Sequence, residues 1–240
     1  MAESMAADRA SRLERRVIRL SIYDLDRTVT RLPTWTPFLF HAARARAPAR
    51  LALAPLAGIA ALAHGAKVMD RDRLKVVMHR LFLGQELRPD ELEPLVDSFA
   101  VSTVARNIRP GARRQIERDR TEGRRIVIAT AAHRFYAVAI AQRLGIEDVV
   151  ATRARTTTRE HIRPELDGEN CYGPAKLRMI TRWLGDQGIA RRETHVRFYS
   201  DHATDAPTFE WADEAVAVNP HRRLRSLALA RGWEIVDWGR

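Results

Sequence analysis

The stretch that most constrains this chain is Val17-Ile-Arg-Leu-Ser-Ile-Tyr-Asp24-Leu-Asp26-Arg-Thr28-Val-Thr30. A nearly continuous apolar, β-branched run ends in two acids separated by one residue and followed by hydroxyls. Such a run reads as a buried parallel strand, because a strand with one wet face would alternate. Ligands of α/β sheets bind in the crevice beyond the carboxyl ends of parallel strands. Carboxylates at i and i+2 just past a strand end can converge there. Together they can bind a hard cation, or one can attack while the other handles a proton. An ordinary acidic turn has the same local appearance, so the rest of the chain must decide.

At 240 residues the chain can build one sizeable core, or a core with a smaller inserted unit. A single cysteine, Cys171, excludes a disulfide framework within the chain and suits a reducing compartment, hence a cytoplasmic expectation. It reads as a packing residue. Residues 1–16 mix Glu3, Asp8 and Glu14 with arginines and lack an apolar stretch, so they read as a disordered polar lead-in rather than a secretory signal. The formal charge of +11 comes almost wholly from arginine, since Lys67, Lys75 and Lys176 are the only lysines. Arginines are spread along the chain without an aromatic-studded basic stripe, so no nucleic-acid partner is expected.

In chain order, α/β rhythm holds at 17–30, breaks over 31–108 and resumes from 109. The interruption opens with Leu32-Pro-Thr-Trp35-Thr-Pro37 and Phe38-Leu-Phe40. It continues through an apolar run, 51–63, and closes with two helices over about 70–83 and 89–105. The apolar run is shorter than the roughly 20 residues a spanning helix needs, and Pro55 and Gly58 interrupt it. It reads as a buried helix. Arg44, Arg46, Arg50 and Lys67 flank it, which also suits contact of 38–67 with an anionic membrane surface, at the periphery of the inner face. From 109 the pattern predicts a helix to Gly123, a strand 125–130 and a helix 132–144. Further strands are expected at 148–152, 196–200 and 214–218, with a closing strand at 233–238. A β-excursion or loop over 153–172 turns at Asp167-Gly168, and a helix over 173–185 follows. The fold class is α/β: a Rossmann-like, mostly parallel sheet with helices on both faces and an inserted helical unit at 31–108.

Three strand ends carry polar groups: Asp24 with Asp26, Thr130, and Asp201 with Asp205. Parallel strands bring such ends to one edge, and Lys176 near a helix start can join them. This set suits phosphoryl transfer from a phosphomonoester. A carboxylate attacks phosphorus, a divalent cation offsets charge, and a hydroxyl and an ammonium hold the remaining phosphate oxygens.

The order D-x-D-x-T, Ala129-Thr130-Ala131, Gly173-Pro-Ala-Lys176 and Tyr199-Ser-Asp201-His-Ala-Thr-Asp205-Ala-Pro207 resembles the four motifs of the haloacid dehalogenase-like superfamily. It further resembles the phosphoserine-phosphatase-like subclass IB, whose helical C1 cap sits where 31–108 falls. The resemblance implies that Asp24 is the nucleophile, forming an aspartyl-phosphate, and that Asp26 is the acid and later the base. It implies that Thr130 and Lys176 bind phosphate. It assigns Mg2+ to Asp24, the backbone carbonyl of Asp26, Asp201 and Asp205. The second aspartate, Asp26, points to a phosphatase or phosphomutase rather than a dehalogenase.

Phosphoserine phosphatases carry a cap glutamate about nine residues past the nucleophile, where this chain has Pro33. That departure disfavours phosphoserine and leaves small phosphorylated metabolites and phospholipid-type phosphates. Trp35, Phe38 and Phe40 either cover the pocket mouth and contact an apolar leaving group or pack the insertion onto the core. The alternative functions are a non-catalytic binding or regulatory protein on the same fold and a basic nucleic-acid-binding protein. Oligomeric state is not legible.

Overall fold

The computed structural model describes residues 17–239; the predicted lead-in, 1–16, lies outside the described residues. The strands are β1 (Ile18–Tyr23), β2 (Arg125–His133), β3 (Asp148–Thr156), β4 (Ile162–Asp167), β5 (Thr194–Ser200), β6 (Glu214–Val218) and β7 (Glu234–Val236). They form one sheet in the order β4-β3-β2-β1-β5-β6-β7. All neighbours are parallel except β3 and β4. This is the α/β, Rossmann-like arrangement expected from sequence.

The side-chain alternation of β1 explains why both faces must be covered. Leu20 and Ile22 pack with Val127, Val196 and Phe198 on one face. Tyr23 joins Ile128 and Tyr199 on the other. The first face is closed by α7 (Pro174–Asp186), α8 (Ala206–Trp211) and α9 (Arg222–Arg231), through Ile180, Leu184, Phe209 and Leu224. The second is closed by α5 (Pro110–Thr121) and α6 (Arg134–Arg143), through Ile116, Tyr136 and Ile140.

Between β1 and α5 the chain forms the four α-helices of the insertion: α1 (Trp35–Arg46), α2 (Ala54–Gly65), α3 (Arg71–Phe82) and α4 (Pro89–Arg106). Asp70 caps α3 by accepting from the Arg73 amide at 2.7 Å. The two ends of this insertion are stitched side by side. Thr30 and Ile108 form an antiparallel bridge. The Arg31 amide donates to the Asn107 carbonyl at 2.7 Å, and the Asn107 side chain pairs with the backbone of Leu32 in both directions.

Three local expectations need correction. The strand predicted to end at Thr130 runs on to His133, because a register shift after Thr130 lets it rejoin β3. The helix that follows therefore starts at Arg134 rather than Ala132. The stretch 153–172, read as a β-excursion or loop, is a β-excursion: it contains the second half of β3 and the antiparallel β4. The apolar run 51–63 is not a buried helix. A 3-10 turn over Pro48–Leu53 precedes α2, of which only Ala57 and Ala60 are buried. Small alanines allow close packing on α3, and that leaves the larger Leu56, Ile59 and Leu62 facing outward. Among the described residues no helix is long and apolar enough to cross a membrane.

Candidate active site

Register brings the polar strand ends together. Tyr23, the last residue of β1, pairs with Ile128 on one side and Tyr199 on the other. The two tyrosine rings stack at 4.3 Å, and both hydroxyls donate to Asp119, at 2.7 and 3.0 Å. Beyond this locked pair the Asp24 amide donates to the Tyr199 carbonyl at 2.9 Å, so Asp24 stands beside the Ser200-Asp201 turn. Residues 25–29 form a single tight turn with Arg27 in the left-handed region (φ 65°), closed by the Thr30 amide on the Leu25 carbonyl. That turn returns Asp26 and Thr28 to the same crevice.

Asp24, Asp26, Thr130, Lys176, Asp201 and Asp205 all line one cleft of about 290 Å³. Lys176 is buried and lies 2.8 Å from Asp24 Oδ1 and 2.6 Å from Asp205 Oδ2. Its position follows from Gly173, whose backbone (φ 56°, ψ −133°) turns sharply into Pro174 and starts α7 at the cleft. Ser200 donates to Asp205 Oδ2 at 2.7 Å. The Thr28 hydroxyl accepts from the Asp201 amide at 3.0 Å and donates to Asp24 Oδ2 at 3.1 Å. Asp26 Oδ1 accepts from both the amide and the hydroxyl of Thr34, at 2.9 and 2.7 Å. Thr130 is buried, its hydroxyl accepting from the Ala132 amide at 3.0 Å.

The electrostatics follow from crowding acids in a dry crevice. Burial pushes the Asp24 carboxyl up to about 7; Lys176 opposes this, and Asp205 and Asp201 add to it. Burial also raises Asp26, against the two Thr34 hydrogen bonds, and raises Asp201. For Lys176, burial alone would lower the pKa, but Asp205 and Asp24 more than offset it and hold the ammonium form. Burial pushes the Cys171 thiol up to about 12, in keeping with a packing residue.

The donor set fits a hard divalent cation. Asp205 Oδ1 is buried without a hydrogen-bond partner among the described residues, and the carboxylates Asp24 and Asp205 share a single ammonium, that of Lys176. Among the described residues no three acidic, imidazole or thiol side chains form a ready cage. Mg2+ needs none, since it keeps waters and takes one or two carboxylates plus substrate oxygens.

Several residues in or beside the cleft escaped sequence reading; His202, within the fourth motif, is visible there but carries no assigned catalytic role. Thr34 bonds to Asp26 from the first turn of the insertion. Arg27, Arg71, His202 and His221 rim the mouth, with the Arg71 guanidinium 3.8 Å above the Tyr172 ring. Lys75 reaches from α3 to the carbonyl of Ala131 and, at 2.8 Å, to Asn170 Oδ1. The aromatic mouth is not found. Pro33 is the member of that stretch that lines the cleft. Trp35 lies against His133 at 4.4 Å, Phe38 stacks on Tyr136 at 4.8 Å, and Phe40 packs on Phe82. Packing, the other reading of these aromatics, is their role.

A family model described as haloacid dehalogenase-like hydrolase matches residues 22–210. The chain belongs to this family. It is 31% identical over 185 residues to the "Inhibition of morphological differentiation protein" of Streptomyces azureus, covering 75% of this chain and 63% of that one. It is also 31% identical over 148 residues to the phosphoserine phosphatase SerB1 of Mycobacterium tuberculosis, covering 62% of this chain and 47% of the relative. The chain thus spans between about half and two thirds of these relatives' lengths. Among solved structures, a Bordetella pertussis Tohama I protein of unknown function superposes with a TM-score of 0.84 at 23% identity, covering 93% of this chain and all of that one. A phosphoserine phosphatase carrying a phospho-aspartyl intermediate analogue superposes at 0.61 with 15% identity, covering 93% and 94%. These likenesses place the haloacid dehalogenase-like chain with the phosphoserine-phosphatase-like type of fold.

Proposed function

We propose that this haloacid dehalogenase-like protein is a Mg2+-dependent phosphatase that hydrolyses a phosphomonoester through an aspartyl-phosphate on Asp24. The observation that carries this reading is Lys176, buried between Asp24 and Asp205 on the floor of a cleft that Thr130 also lines. A carboxylate kept this close to an ammonium, with a hydroxyl donor on its other oxygen, is oriented as a nucleophile.

A carboxylate oxygen of Asp24 attacks phosphorus, and the bond to the leaving oxygen breaks. Asp26, whose raised pKa favours a proton, donates it to that oxygen. Asp26, now ionised, takes a proton from water as the water attacks phosphorus. The bond to Asp24 then breaks and releases phosphate. Lys176 and Thr130 hold the non-bridging oxygens. Mg2+, when bound by Asp24, the Asp26 carbonyl, Asp201 and Asp205, offsets the charge that develops on the phosphoryl group.

In this reading 17–30 and 109–240 are the core and 31–108 is a cap. The substrate is a small phosphorylated metabolite or a phospholipid-type phosphate. The guanidinium groups of Arg27 and Arg71 at the rim favour a leaving group that is itself polar or anionic, rather than the apolar one suggested by Trp35. The test is phosphate release from a panel of phosphomonoesters with and without Mg2+. The panel includes phosphoserine, lysophosphatidate and phosphatidylglycerophosphate. No turnover of any member would refute the reading.

A further inference from the structure

Helix α2 presents an apolar surface that the other described residues leave uncovered. Leu56, Ile59 and Leu62, spaced three apart and so along one side of the helix, are 51, 62 and 75% exposed, and Val68 just beyond is 80% exposed. Residues 51–66 contain no Asp, Glu, Lys or Arg, so nothing charged interrupts this side. Contiguous exposed apolar surface of this kind marks an interaction site.

The charge around it says what kind. Residues 27–69 hold six Arg or Lys and not one Asp or Glu, an imbalance unlike the mixed charge of the rest of the chain. Arg44, in the last turn of α1, and Lys67, just past α2, are both exposed. Of the others, Arg46 pairs with Glu91 and Arg50 donates to the carbonyls of Arg80 and Leu81, which leaves Arg44 and Lys67 to carry the charge beside α2. We infer that the outer side of α2 docks on an anionic lipid surface, with Leu56, Ile59 and Leu62 entering the headgroup boundary and the exposed Arg44 and Lys67 facing the lipid phosphates. A second copy of the chain fits less well. A two-fold contact through α2 would set these bases against their own counterparts with no acid between them. Arg71, at the cleft mouth, follows α2 after the short turn 66–70, so docking would hold the mouth close to the lipid–water boundary.

The test is flotation of the full chain with vesicles of phosphatidylcholine alone or mixed with phosphatidylglycerol. It needs no turnover, so its result is independent of the catalytic reading. The wild type should bind the mixed vesicles, release them as salt rises, and bind neutral vesicles poorly. Ile59→Asp with Leu62→Asp should weaken binding at least about tenfold. Arg44→Glu with Lys67→Glu should weaken it by more than about tenfold, at roughly fivefold per base removed. Both variants should keep the wild-type circular dichroism, since all four side chains are exposed. Three results would overturn the inference: no binding by the wild type, equal binding to neutral vesicles, or variants that bind as well as wild type. Self-association abolished by the Ile59 and Leu62 substitutions, without vesicle binding, would assign the face to a second copy instead.

Discussion

Thr34 holds Asp26 with two groups at once, its amide at 2.9 Å and its hydroxyl at 2.7 Å from the same carboxylate oxygen. Both bonds stabilise the ionised acid and oppose the upward push of burial. Thr34→Val removes one of them and should raise the Asp26 pKa. Whether the step limited by protonated or by ionised Asp26 controls kcat, the limb of the pH–rate profile that Asp26 governs should move to higher pH. An unmoved profile would mean that Asp26 does not carry the proton.

Asp24→Asn should reduce turnover to background while the fold persists. Its effect on stability has a definite sign. The folded pKa of about 7 lies above the ordinary carboxylate value, so the folded state binds more protons than the unfolded one between about 4 and 7. This carboxyl therefore costs stability as pH rises through that window. In the metal-free protein the variant should melt at the same or higher temperature than wild type at neutral pH. Retention of a tenth or so of the activity would exclude Asp24 as the nucleophile.

Lys176→Met leaves Asp24 and Asp205 buried without their cation. Breaking a buried pair from one side costs about 3–5 kcal/mol, and denaturant titration should show a loss of that order. Adding Asp205→Asn should recover part of it, because it removes one of the stranded charges. A Lys176→Met protein as stable as wild type would mean that the ammonium does not hold the acids together.

Mg2+ should restore activity lost to EDTA and raise the melting temperature of the resting protein, since it binds only the folded site. Binding should also release protons, because it favours the ionised form of a carboxyl pushed up to about 7. Calorimetry near pH 6 in buffers of different ionisation enthalpy would register them. Activity that survives thorough chelation would sink the metal-assisted mechanism.

The acid side of the stability curve should be steep. His79 and His133 are fully buried between the insertion and the core, and neither ring has a hydrogen-bond partner for its nitrogens among the described residues. Burial pulls His79 down to about 4 and His133 well below its ordinary value. The unfolded chain thus takes up protons below about 6.5 that the folded chain refuses. Stability falls as pH drops from there through the folded pKa values, by about 1.4 kcal/mol per pH unit for each imidazole. Replacing His79 by Phe should flatten that slope in urea titrations, and an unchanged slope would contradict this account.

The strand framework and the six principal site residues were legible because both rest on local pattern. Apolar runs give strands, and parallel strands force their ends to one edge. Thr34, Arg71, Lys75 and His221 were not legible, because only the packing of the insertion and the last loop brings them to the cleft. The direction of α2 was misread for a related reason. Composition shows how apolar a helix is, but not which of its sides the neighbours will cover. Trp35 and Phe38 likewise carried no mark distinguishing a mouth from a packed seam.

The stitch joining Thr30 to Ile108 and Leu32 to Asn107 lies immediately before Thr34. Both crossings of the chain into the insertion pass through this one point, so any swing of the helices would turn about it and displace Thr34, the N-cap of α1. A shift of roughly 1 Å there would stretch both contacts with Asp26 past hydrogen-bond length. The proton affinity of Asp26 would then act as a gauge of whether the insertion is seated. In the proposed mechanism, a substrate that drew the helices down would set the acid strength of the group that protonates it.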